Sequence, residues 1–331
     1  MLSEWSELLC TRISSYECRS RKASLEQAGC LCHNNIIFGE VYSETLVDRP
    51  TSARICFVRS FGRSNTRQFI KLALLMRGLM TINRVSVDSA GDQAIRLSVG
   101  SSISADGRLV AFAYGTSLVP ADASGSGDIF VRDLSTNTTT PVSVDSAGNR
   151  AIGVGFFPSS LSPSISADGR FVAFESNATN LVPGDTNSYR AIFARDLSTN
   201  TTTLVSVDSA GNRGNNYSLS PSISADGRFV AFYSNASNLV PGDNYNFDIF
   251  VRDTLANTTT GVSVDSAGDR GNRDSYSPSI SADGRFVAFE SDATNLVPGD
   301  TNNGRDIFVR DTLANTTTGV SVDSAGDRGN R

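Results

Sequence analysis

From residue 84 onward the apolar residues fall in short runs, each closed by Gly, Asp, Asn or Ser. No segment keeps a helical period over ten or more positions. The stretch SPSISADGRFVAF at 162–174 is nearly restated three times, with SISADGR recurring at 102–108, 222–228 and 279–285. Each copy predicts four strands. PSIS leads into the tight turn Ala-Asp-Gly, and RFVAF follows. After a long polar loop comes DIFVRD, then a turn written LSTNTTT or TLANTTT, then VSVD. The chain reads as all-β.

Two markers set the period. The Asp of SADGR stands at 106, 168, 226 and 283, and the Asp of VSVDSAG at 88, 145, 208, 265 and 323, so the repeat is 57–63 residues long. Strand side chains alternate between faces, which sends Phe171 and Phe174 to opposite sides, and Phe286 and Phe289 likewise. A sheet with one wet face would expose a Phe per repeat and forgo roughly 1.5–3 kcal/mol of burial. Sheets stacked on both sides avoid that. The unit is too long for a β-solenoid coil and too short for an immunoglobulin-like domain of about 100 residues. A β-propeller of four-stranded antiparallel blades is the expected fold.

Four full units span about 101–148, 163–211, 221–268 and 278–326, within a repeat region of 80–331. A fifth VSVD at 85–88 has lost its partners. A degenerate fifth blade would draw on SARICFVRS at 52–60 and the segment around 69–76. The chain stops at a repeat boundary, which suggests a piece of a larger ring, or a half that closes as a dimer if the ring is incomplete. The block 252–273 is identical to 310–331, the mark of a recent duplication.

The units resemble the WD40-like (PD40-type) repeat of TolB-like propellers. That motif is a Ser-Pro-Asp-Gly-Lys/Arg turn, a strand ending Ala-Phe, and an Asp-Ile-Tyr/Phe-Val strand. Here Ala105, Ala167, Ala225 and Ala282 replace its Pro. The resemblance covers about 84–326 and implies a bacterial, often extracytoplasmic setting, although no signal peptide is visible.

Composition changes near residue 80. All five Cys, His33, Trp5 and both Lys lie before it, and residues 1–80 carry a net charge of +4 against −9 for 81–331. An acidic, Lys-free repeat region argues against a nucleic-acid partner. No apolar run is long enough to span a bilayer: FIKLALLMRGLM at 69–80 is short and broken by Lys71 and Arg77. Residues 1–79 read as an extension upstream of a true start at Met76 or Met80, or as a degenerate capping unit. The cysteines, including CLCH at 30–33, fit no paired zinc spacing.

Antiparallel strands put the two short turns at one end of a blade and the two long connections at the other. The turn residues Asp106, Gly107, Asp168, Gly169, Asp226, Gly227, Asp283 and Gly284 are expected to be structural. The long-loop end is the expected partner-binding face, with Asn187, Tyr189, Tyr217, Asn244, Tyr245, Tyr276 and Asn303. Candidate calcium ligands are Asp122 with Asp128, Asp185, Asp243 with Asp248, and Asp300, Asn302 and Asp306, since calcium takes clustered oxygens on loops. No other cofactor is expected. The repeats hold no His, no Cys and only two Glu, so no serine has an imidazole base. The first reading is a non-catalytic scaffold for a protein partner. The alternative is a calcium-dependent or carbohydrate-contacting module, and a hydrolase-associated propeller comes third.

Overall fold

The computed structural model describes residues 41–44, 55–58, 82–93, 98–114, 118, 127–153, 159–243, 245–301 and 303–323. The chain divides into two compact units, Met1–Asn83 and Arg84–Arg331. In the first, β1 (Val41–Glu44) pairs antiparallel with β2 (Ile55–Val58). Of the segments expected to build a fifth blade, 52–60 supplies β2, and 69–76 lies outside the described residues. The described part is a two-stranded pair, not a four-stranded sheet.

The second unit holds four sheets, each of four antiparallel strands in chain order. Blade 1 is β3 (Ser98–Ile103), β4 (Leu109–Tyr114), β5 (Asp128–Asp133) and β6 (Thr138–Pro141). Blade 2 is β7 (Ser160–Ile165), β8 (Phe171–Ser176), β9 (Ala191–Asp196) and β10 (Thr201–Leu204). Blade 3 is β11 (Ser218–Ile223), β12 (Phe229–Ser234), β13 (Asp248–Asp253) and β14 (Thr258–Gly261). Blade 4 is β15 (Ser275–Ile280), β16 (Phe286–Ser291), β17 (Asp306–Asp311) and β18 (Thr316–Gly319). Among the described residues no helix is long and apolar enough to cross a membrane.

Two strands differ from expectation. The first begins upstream of PSIS, because Ser162, Ser220 and Ser277 take φ of 49–52° and put a bulge before the Pro. Pro is tolerated there because this is an edge strand. The fourth strand is TTT with its following residue, not VSVD. Asn137, Asn200, Asn257 and Asn315 absorb the left-handed step at φ 56–57°, so the β-branched threonines extend at once. VSVD then leaves the sheet, and its second Val bridges the residue six positions on, Gln93 for Val87 and an Arg for Val144, Val207 and Val264.

The cores lie between blades. Ile129 and Val142 of blade 1 pack with Ile165 and Phe174 of blade 2. Ile192 and Val205 pack with Val230 and Phe232, and Ile249 and Val262 with Val287 and Phe289. Inside each blade the two central strands add a stacked Phe pair, with ring centroids 5.9–6.0 Å apart. In the middle blades Phe174 and Phe232 are buried while Phe171 and Phe229 are half-buried against the next blade, and Phe286 of blade 4 is 39% exposed.

Candidate interaction surface

At the turn end the same hydrogen bonds recur from blade to blade. Ser104 Oγ donates to Asp106 at 2.6 Å and accepts from the Leu109 N–H at 2.9 Å, and the other three turns repeat the pair. Gly227 and Gly284 sit at φ 75–77°, and a Cβ on either would lie 2.1 Å from Phe171 or Phe229 of the preceding blade. Gly169 stands over Leu109 in the same way, while Gly107 has nothing within 4 Å. The Ala105 N–H donates to the Ala167 carbonyl at 2.9 Å, Ala167 to Ala225 at 3.0 Å, and Ala225 to Ala282 at 3.0 Å. Proline has no N–H to give. That is the physical reason for Ala in the motif position.

Arg108, Arg170, Arg228 and Arg285 clamp Asp133, Asp196, Asp253 and Asp311 at 2.6–2.7 Å. The guanidinium holds each of these carboxyls below its usual range. The Arg near the end of the third strand pairs elsewhere. Arg132, Arg195, Arg252 and Arg310 are buried and donate to the carbonyls of Asp88, Asp145, Asp208 and Asp265, at 2.9–3.1 Å.

Those carbonyls belong to the VSVDS of the preceding unit, which clasps the outer strands of the next blade. Thr139 Oγ1 donates to the Val87 carbonyl, and Thr202 Oγ1 to that of Val144, both at 2.6 Å. The N–H groups of Thr139, Thr202, Thr259 and Thr317 donate to Ser89, Ser146, Ser209 and Ser266 Oγ, all at 3.0 Å. The VSVD at 85–88 therefore has a partner: it is the clasp of blade 1. These Thr and Arg were missed as linking residues. Their identity in all four units was the available signal, but their partners lie 44–58 residues away.

The long-loop end is knitted in part. Arg150 pairs with Asp128 at 3.3 Å, Arg213 with Asp185, and Arg270 with Asp243 at 2.9 Å and Asp248 at 3.6 Å. Blade 2 carries Ala191 where the strand-opening Asp stands elsewhere, and Asp185 takes its Arg. Ser143, Ser263 and Ser321 donate to Asp128, Asp248 and Asp306 at 2.6 Å. Burial pushes the Asp248 carboxyl up to about 6 against the Ser263 hydrogen bond, and the neighbouring Asp243 raises it further. Asp300 is buried. Asp122, Asn244 and Asn302 lie outside the described residues. Calcium asks for six to eight oxygen ligands. In blades 1–3 a guanidinium stands among the carboxylates, and no group of three or more His, Cys, Asp or Glu gathers among the described residues.

Asn180, Asn238 and Asn295 each accept one backbone bond from the preceding link and return another, at 2.7–2.9 Å. Asn187 is half-buried, with its carbonyl on Arg213 and its side chain on the Tyr189 N–H. Tyr276 is a strand residue. It lies in a cluster with Tyr233 and Phe247 under Arg305, which stands 4.5 Å over its ring. Burial and its hydrogen bond to Asp274 push the Tyr276 hydroxyl up to about 12. What remains open is Tyr245 at 72%, Tyr189 at 41%, Tyr217 at 42%, and the exposed Asn303. Tyr189 and Tyr217 meet edge to face at 5.0 Å across blades 2 and 3.

Sequential four-stranded blades, each core shared by two of them, define an all-β protein of the β-propeller class. Among solved structures the chain is similar to TolB from Acinetobacter baumannii, at 15% identity over 85% of this chain and 67% of that one, with a TM-score of 0.44. It is also similar to the putative TolB from Agrobacterium tumefaciens, at 17% identity over 66% and 63%, with a TM-score of 0.41. A third is the β-propeller domain of the trilobed protease from Pyrococcus furiosus, at 14% identity over 67% and 56%, with a TM-score of 0.40. No family model and no curated protein matches the chain.

Proposed function

We propose that this TolB-like propeller is a non-catalytic, extracytoplasmic scaffold that binds a protein partner through its long-loop end. The contrast between the two ends of the blades carries this reading. The turn end spends nearly the same letters in each blade on bonds to its neighbours, whereas the loop end varies and leaves tyrosines open. Tyrosine offers large, rigid contact area with a polar tip, which suits an interface. The described residues hold no histidine to activate the serines of the innermost strands, and the reading assigns no reaction.

The test compares two positions of one blade that are equally exposed. Tyr245 is 72% exposed at the loop end, and Leu255 is 73% exposed at the turn end. A photo-crosslinking residue at each, exposed to an extracytoplasmic extract of the encoding organism, should give saturable adducts at 245 and none at 255. The Tyr189→Ala, Tyr217→Ala double variant should lower the yield at 245 about tenfold. Equal labelling at both positions, or none at 245, would overturn the reading.

A further inference from the structure

An asparagine can modify itself when the backbone nitrogen of the next residue reaches its side-chain carbonyl carbon. The approach is easiest where that next residue is glycine, which has no Cβ in the way. The chain holds a single Asn-Gly pair, Asn303-Gly304, in the loop between β16 and β17 of blade 4. Blades 2 and 3 read DTNSYR and DNYNFD where blade 4 reads DTNNGRD, so the pair is particular to blade 4. Asn303 is exposed, lies outside any strand, and takes a φ of 51°, a backbone that asparagine tolerates.

Related pairs elsewhere in the blades are held shut. In the four Asp-Gly turns each glycine N–H donates to the carbonyl of Ser104, Ser166, Ser224 or Ser281, at 2.9–3.1 Å. The Asp side chains there already hold a serine hydroxyl. Ala178 and Ala236 follow Asn177 and Asn235, and their N–H groups donate to Ser176 and Ser234 Oγ at 3.1 Å. Asn137, Asn200, Asn257 and Asn315 share the left-handed backbone of Asn303. A buried Arg fixes each of their amide oxygens at 3.1–3.3 Å, and a β-branched Thr follows each one.

We propose that Asn303 is a self-modifying site, through which the loop of blade 4 gains a carboxylate as the protein ages. The Gly304 nitrogen bonds to Asn303 Cγ, its proton passes to solvent, and the side-chain nitrogen leaves as ammonia. Water then opens the cyclic imide. Cleavage at the side-chain carbonyl returns an ordinary Asp, and cleavage at the main-chain carbonyl gives isoAsp. Nothing is oxidised or reduced, and water is the only co-reactant. The new carboxylate stands two residues from Arg305, which already serves Glu290 and Asp292 and lies 4.5 Å over the Tyr276 ring. In the isoAsp form the main chain between the buried Asp300 and Arg305 also grows by one carbon. The chemistry needs no partner, so its failure would leave the binding role of this end untouched.

Full-length protein held for weeks in warm, near-neutral buffer tests this, sampled by ion exchange and by peptide mass spectrometry. An acidic species should accumulate, with the mass gain of an amide turned to acid in the peptide that holds Asn303. An isoaspartate methyltransferase should label the same peptide, because isoAsp marks passage through the imide. Gly304→Ala should slow the gain at least about tenfold, since its Cβ crowds the attacking nitrogen. Asn303→Gln, which changes only an exposed side chain, should leave no acidic species from this loop. No acidic species, a gain that falls first on another asparagine, or a gain unslowed in Gly304→Ala would overturn the proposal. Acid at residue 303 without isoAsp would do so too, since it would mean direct hydrolysis.

Discussion

Residues 248–264 and 306–322 are the same seventeen letters folded into the same strands, and their surroundings differ on one face. In blade 3 Ile249 is 0% exposed and Val262 2%, while in blade 4 Ile307 is 38% and Val320 45%. Strand pairing is therefore a property of the repeat, and burial is a property of the neighbour. Ile249 and Val262 leave water because blade 4 packs against them.

The comparison can be made sharper by substituting the same letter in both places. Phe286→Asp is the suitable background, because it keeps the outer face of blade 4 open. Ile249→Ala should cost about 2–5 kcal/mol in denaturant unfolding, from lost burial and the cavity left behind. Ile307→Ala in that background should cost under about 1 kcal/mol. Equal costs would mean that the outer face of blade 4 is covered in solution.

Glycine gives the next largest contrast. Gly284→Ala places a Cβ 2.1 Å from Phe229 at a backbone φ of +75°, whereas Gly107→Ala meets the same φ penalty at +73° with open space around it. The first should cost about 2–4 kcal/mol and the second about 1 kcal/mol in the same background. The difference isolates the overlap between blades from the strain of the turn.

The smallest effect separates blade 3 from blade 2, where Ala191 replaces the strand-opening Asp. With the Asp248 carboxyl pushed up to about 6, the folded chain holds that proton more tightly than the unfolded chain. The resulting stability is present below about pH 4 and fades as pH rises through about 6. Asp248→Asn should remove this slope while keeping a side-chain oxygen for Ser263. Melting temperatures of the two proteins, compared at several pH values in that window, check it. An unchanged slope would assign the pH dependence to other groups.

Much of this architecture was legible in the chain itself. The period, the turn Asp-Gly pairs and the two-faced Phe pattern are local features, and each led to the blade that formed. The loop carboxylates were misleading for a clear reason. Asp128, Asp185 and Asp243 look like free oxygen ligands until Arg150, Arg213 and Arg270 come back from 22–28 residues away to pair with them. Tyr276 looked like loop surface, and the strand beginning at Ser275 packs it beneath Arg305.

The sequence by itself determined the blade, because strand, turn and alternation depend on residues within a few positions of one another. The tertiary structure alone decided how blades are joined. It turned VSVDS from an expected strand into a clasp on the next blade. It gave Ala its place in the turn, by requiring an N–H that crosses to the neighbour. It also divided identical residues into buried and open ones, since burial depends on what stands across the gap and the repeated letters do not record it.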